Sequence, residues 1–146
     1  ARQVWTFATL YDRLEKKDSW LKIAQYGTDF LEKYGHDGNF NWYFSLQREG
    51  QPLIMPYNIF SHTFACMAIG KMYQITGNEK YKIAVEKTLK KITERAKKPK
   101  DRWDKSFPNT RPLKNFALPM ILCNLFNELG DLVETEEKKS TNSRFC

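Results

Sequence analysis

The sequence predicts an all-α fold of repeated helical hairpins with one short β-hairpin inserted, and three observations lead there. Apolar residues recur at helical spacing along most of the chain, as in Val4, Phe7, Ala8, Tyr11 and Leu14. Short signatures return in the same order. Thr6-Phe7-Ala8 comes back as Thr63-Phe64-Ala65, "LKIA" at Leu21 to Ala24 as "YKIA" at Tyr81 to Ala84, and a further "FA" stands at Phe116-Ala117, at offsets of 57, 60 and 52 residues. One stretch, "NWYFSLQREGQPLIMP", departs from the helical period. It reads as two strands around a turn at Arg48-Glu49-Gly50.

Taken in order, residues 3 to about 15 form an apolar helix, and "KKDSW" ends it, with Asp18 or Ser19 placed to cap the next. That second helix puts Leu21, Ala24, Thr28 and Leu31 on one side, and "GHDGN" breaks it. After the β-hairpin, "IFSHTFACMAIGKMYQITGN" and "EKYKIAVEKTLKKITERAKK" are again helical. "KPKDRWDKSFPNTRP" is a polar loop, "NFALPMILCNLFNELGDL" a last apolar helix and "VETEEKKSTNSRFC" a solvated end. Each unit is thus an apolar inner helix, a turn and an amphipathic outer helix. Such a hairpin cannot cover its own apolar face, so the units close into a ring or stack as a solenoid. Neither end is capped. The expected organisation is two hairpins plus the inner helix of a third over residues 1–132, then a polar tail, 133–146.

The 146 residues suffice for one domain's core. Aromatic residues reach 14%, which suits either a heavy core or flat faces that stack on sugars or bases. No apolar run approaches the ~20 residues that span a bilayer, and no charged-then-apolar leader is seen. Three widely spaced cysteines argue against a disulfide framework or a zinc site and for a reducing compartment, the cytoplasm. The net charge of +7 raises nucleic acid as a partner. The excess lies in "EKYKIAVEKTLKKITERAKKPKDR", where Glu86–Lys90 and Glu94–Lys98 are i, i+4 pairs, the pattern of a solvated helix face rather than a phosphate-binding stripe.

Among chemical motifs, Asp37, Asn39 and Asn41 alternate like a calcium loop. That reading fails because Trp42 stands where glycine is needed and Arg48 where a bidentate glutamate is. No phosphate-binding or dinucleotide glycine pattern is present. Of the two histidines, His36 lies in a glycine-rich turn and is expected to be exposed. His62, near the start of an inner helix, is either a polar residue at a helix end or a group lining a pocket. Arg2 belongs to the first turn of an apolar helix. It is either a solvated end or a guanidinium placed to meet an anion or a developing negative charge.

"RQVWTFATLY", "NWYFSLQREGQPL", "PYNIFSHTFACMAIGKMYQITGN" and "NFALPMILCNLFNELG" together resemble the N-acylglucosamine 2-epimerase family, whose vertebrate members are also known as renin-binding protein. The resemblance covers roughly residues 2 to 130. It implies an (α/α)6 barrel, a closed ring of helical hairpins with the active site in its central cavity, of which this chain is a front part. It also implies interconversion of N-acetylglucosamine and N-acetylmannosamine through proton abstraction at C2 of the ring-opened sugar.

Arg2 matches the family's active-site arginine at the start of the "RxxW(T/M)" helix and is the expected catalytic residue. The two catalytic histidines are implied to lie on later inner helices, outside this chain, and His62 matches neither. Phe60 stands where related branches carry tyrosine. Ala117 and Met120 stand where relatives acting on unsubstituted sugars place polar groups, so an acetyl methyl fits there. Phe60, His62, Ala117 and Met120 are thus the expected substrate-binding residues. The resemblance implies no metal or redox cofactor, with nucleotide activation known for some members. The expected partner is an amino sugar, without nucleic acid or membrane and with a homodimer as an open possibility. Two alternatives stand beside this: a non-catalytic helical-repeat interaction module, and a related aldose or disaccharide 2-epimerase or isomerase.

Overall fold

The computed structural model describes residues 1–55, 59–96 and 116–132. The expected polar loop, residues 98–112, and the tail at 133–146 fall outside them. Among the described residues the fold is all-α: helices α1 (Arg2–Arg13), α2 (Asp18–Tyr34), α3 (Phe60–Thr76), α4 (Glu79–Ala96) and α5 (Ala117–Leu129), with strands β1 (Ser45–Leu46) and β2 (Pro52–Ile54) between α2 and α3. A short 3₁₀ turn, Gly130–Leu132, ends the described chain.

Packing sorts the helices into two layers. Helices α1, α3 and α5 lie side by side as an inner row, while α2 backs α1 and α4 backs α3. That is the inner–outer alternation of an (α/α)6 barrel wall. Helix α3 sits mid-row, and its run from His62 to Met72 is buried with one break at Phe64. The outer helices bury one stripe only, Tyr81, Ala84, Val85, Thr88, Leu89 and Ile92 in α4.

Local chemistry sets the element ends. Helix α2 starts one residue earlier than the expected cap allows: Lys17 is the N-cap, its carbonyl accepting from Trp20 at 3.0 Å, and no side chain caps the helix. Asp18 instead occupies the first helical position, where its carboxylate meets the positive end of the helix dipole. Helix α3 ends on Gly77, left-handed at φ +65, whose N–H donates to the Tyr73 carbonyl. Asn78 then opens α4, its Oδ1 accepting from the Lys80 N–H at 3.1 Å. Pro119 fits the first turn of α5 because no helical donor is needed there.

The β-hairpin forms where expected, antiparallel, pairing Ser45 with Ile54 and Leu46 with Pro52. Its turn needs Gly50 twice over. The backbone is at φ +88, and an added Cβ would stand 2.6 Å from the Tyr34 ring on which the turn rests.

Two corrections concern polar groups. The Glu86–Lys90 pair does not form among the described residues; both side chains stay exposed, where an ion pair gains little over solvation. Helix α4 instead ties to α2 through Lys80 Nζ and Glu32 Oε2 at 2.7 Å. Lys98, of the second expected pair, lies outside the described residues. His36 is half-buried rather than exposed. Its ring stacks on Phe40 at 4.7 Å, meets Trp42 edge-on at 4.7 Å, and accepts the Gly38 N–H at Nδ1. Burial lowers its pKa, against the opposing pull of Asp37 and Glu32.

A hydrogen-bonded network joins the three inner helices. Lys71 of α3, 6% exposed, donates to the Asp12 carboxylate of α1 and to Gln74 Oε1. Gln74 Nε2 donates to the carbonyls of Glu128 and Leu129 in α5, and Trp5 Nε1 of α1 donates to Glu128 Oε2 at 3.1 Å. The Lys71 bond is the largest influence holding the Asp12 carboxyl below its ordinary pKa. Asp12→Ala leaves a buried ammonium with one weak partner, and a loss of about 2 kcal/mol is expected, below that of a fully buried pair because Asp12 is partly solvated. Urea unfolding checks this. Adding Lys71→Met should recover most of the loss, and a single variant as stable as the parent would show that the pair does not hold α1 to α3.

Candidate active site

The first turns of α1 and α3 open onto a cavity of about 540 Å3, lined also by Leu31, Gly35 and the run from Trp42 to Leu46. Placing the turns there follows from the packing. Helices α1 and α3 run side by side in the inner row, so their N-terminal ends reach the same face. Trp42 is anchored in the lining, 2% exposed, with Nε1 donating to Thr88 Oγ1 of α4 at 3.0 Å.

The site is electropositive by construction. Helices α1 and α3 have Ala1 and Ile59 at their N-caps, with no side-chain cap bond and no acidic residue in the first turn. Helix α5, starting after Phe116, is built the same way. No acidic residue in these first turns offsets the positive end of the helix dipole. No carboxylate stands among the described residues that line the cavity.

Arg2 lines this cavity and is exposed to it. Its guanidinium lies over the ring of Phe64, 4.8 Å from the centroid. Phe60 also lines the cavity, its ring stacked on that of Phe64 with centroids 6.4 Å apart. The structure thus brings together Arg2 and Phe60.

It does not bring the other expected residues to them. His62 is fully buried on the α4 side of α3, one turn from Cys66, whose Sγ donates to the Val85 carbonyl. Its ring nitrogens have no hydrogen-bond partner among the described residues, and its pKa falls to about 4, first through burial and then through Arg95 and Lys91, with Asp37 opposing. Neither a solvated helix end nor a pocket wall describes it. It is a neutral core histidine, because the strip of α3 beside Phe60 faces the cavity and His62 faces the outer helix. Ala117 and Met120 sit in the first turn of α5, half-buried and 54% exposed respectively, and are not among the described residues lining this cavity.

Sequence reasoning missed Phe64, Trp42 and Ser61. Phe64 carried a usable signal, since it follows Phe60 by four residues and so shares its helical face. Trp42 carried none, its place depending on a hydrogen bond to a helix 46 residues away.

Asp37 spends its carboxylate on the Asn39 and Asn41 backbone N–H groups and on Asn41 Nδ2. The described residues contain no group of three or more His, Cys, Asp or Glu side chains able to hold a metal ion. No helix among them is long and apolar enough to cross a membrane.

Comparison with known proteins agrees with this geometry. Residues 1–129 match the family described as N-acylglucosamine 2-epimerase (GlcNAc 2-epimerase). The N-acylglucosamine 2-epimerase of Bos taurus is 28% identical over 138 residues, 91% of this chain and 33% of the relative. That of Homo sapiens is 28% identical over 141 residues, covering 91% and 32%. That of Mus musculus is 27% identical over 146 residues, covering 97% and 34%. The chain spans about a third of the length of these curated relatives. A ring-wall fold, a positively charged inner cavity and a family match over nearly the whole chain converge, and the chain belongs to the N-acylglucosamine 2-epimerase family.

Proposed function

We propose that this chain, through residues 1–132, is the front part of an (α/α)6 sugar epimerase that interconverts N-acetylglucosamine and N-acetylmannosamine. Residues 133–146 would then be a polar tail. The observation that carries the reading is Arg2, a guanidinium with no carboxylate among the described residues around it, at the wall of a cavity large enough for a monosaccharide.

The chemistry asks for such a group. Ring opening exposes an aldehyde, which acidifies the proton at C2. A base removes that proton, and the C–H electron pair moves into a C1–C2 double bond while the carbonyl π pair settles on oxygen. A second group returns a proton to the opposite face of C2, inverting it. Two histidines suit these transfers near neutral pH, and family resemblance puts them on later inner helices. Arg2 would donate to the enolate oxygen, helped by the positive dipole ends of α1 and α3. The inversion is redox-neutral, so it calls for no redox cofactor.

In the complete ring, Phe60 would shape the pocket, while Ala117 and Met120 at the start of α5 would receive the acetyl methyl. His62 takes no substrate contact in this proposal, being sealed in the core. The partner is an amino sugar and not nucleic acid, a homodimer is the proposed assembly, and the unpaired Cys66 and Cys123 suit a cytoplasmic setting.

The test is turnover of N-acetylmannosamine in D2O by the complete protein that carries this chain, followed by NMR. The expected product is N-acetylglucosamine with deuterium at C2, and product retaining protium there would exclude exchange at C2. The 146-residue chain alone is expected to give no product, because the acid–base pair is assigned elsewhere. Turnover by it would overturn that assignment.

A further inference from the structure

Arg2 is held in an unusual way for a charged side chain at a site wall. Among the described residues its guanidinium makes no ion pair and no side-chain hydrogen bond, and the contact it does make is with the face of Phe64. We propose that Phe64 is a positioning residue for Arg2, a ring platform that fixes the guanidinium at the cavity wall while leaving its donors and its charge unspent. The proposal rests on the epimerase reading of the cavity.

The physical case is a comparison of two ways to hold a guanidinium still. A carboxylate would do so through two parallel hydrogen bonds, but it would occupy up to two of the five donors and cancel the charge. An aromatic face attracts the cation through its quadrupole and takes no donor. A group meant to answer negative charge that develops only during reaction is better served by the second arrangement.

The platform itself is rigid. Phe64 projects from α3 between Thr63 and Ala65, which are 0% and 2% exposed, so its backbone belongs to the core. Its ring is flanked by Phe60, at 6.4 Å and 28° between planes. Phenylalanine also brings no hydroxyl that could compete for the guanidinium donors.

Three measurements on the complete protein test this. First, ring-current shifts of the Arg2 side-chain protons should be present in the parent and lost in Phe64→Leu; unchanged shifts would overturn the contact. Second, Phe64→Leu should lower kcat by about 3- to 30-fold, the range of a lost cation–π contact, with KM held within about twofold. Phe64→Tyr, which keeps the ring face, should recover most of that loss. An equal loss in both variants would reduce Phe64 to a packing residue.

Third, a double-mutant cycle with Arg2→Gln should be non-additive, since a platform has no effect once its cation is gone. Additive losses with normal turnover in the parent sink the platform and spare the epimerase reading. Intact ring-current shifts in a protein that turns over no amino sugar sink that reading, and the catalytic meaning of the platform with it.

Discussion

Replacing His62 with leucine is expected to raise stability at pH 7 by about 1 kcal/mol and to flatten the acid limb of the stability profile. Two features of the site produce this. Both ring nitrogens are buried without partners among the described residues, so an apolar side chain of similar size relieves an unmet desolvation cost. The ring must also stay neutral where it is. Burial, together with Arg95 and Lys91, lowers its pKa to about 4, while Asp37 pulls weakly the other way.

The unfolded chain binds a proton at His62 near the ordinary value of about 6.5. Between about 6.5 and 4 the unfolded state therefore holds more protons than the folded one, and stability rises with pH across that window. The full stabilisation is present above the upper value. It is lost as pH falls through the lower one, about 3 kcal/mol in all. Urea unfolding of parent and His62→Leu at pH 7.5, 5.5 and 4.5 separates this contribution from the carboxylates, which both proteins share. Parallel profiles would mean that His62 titrates freely and is not sealed.

The second large effect concerns turnover. Arg2→Gln in the complete protein is expected to lower kcat by about 10²- to 10³-fold, the cost of removing one preorganised oxyanion donor. KM should move little, because the missing interaction belongs to the enolate rather than to the bound sugar. Arg2→Lys should restore only part of the loss, since a flexible ammonium offers neither the planar fork nor the same stacking on Phe64. The guanidinium is exposed and makes no ion pair among the described residues, so Tm should be nearly unchanged. A loss below about tenfold at unchanged Tm would remove Arg2 from the reaction.

Much of the fold was legible because it rests on local rules. Val4 and Ala8 repeat at helical spacing and are both buried, and the glycine after Arg48-Glu49 turns the hairpin as its position suggests. The start of α2 was off by one residue, because Lys17 offers only its backbone there and no cap signature marks it.

The site was less legible. Arg2 and Phe60 reach the cavity because each opens an inner helix. The same rule applied to His62 fails, since the two residues from Phe60 turn the side chain about 200° around α3 and into the core. Ala117 and Met120 begin an inner helix too, yet they are not among the described residues lining the cavity. Least legible was the Asp12–Lys71–Gln74–Glu128–Trp5 network. It joins helices separated by more than fifty residues, and nothing in the spacing of an aspartate and a lysine 59 positions apart marks them as partners.

The Asp12–Lys71–Gln74 part of that network and the cavity occupy opposite ends of α1 and α3. The fastening of the wall and the handling of a ligand therefore draw on different residues, about 15 Å apart along α1 between Arg2 and Asp12. Substitutions around the opening are therefore expected to leave that fastening, and with it stability, largely unchanged. A chain built on this plan can change at its mouth and keep its foundation.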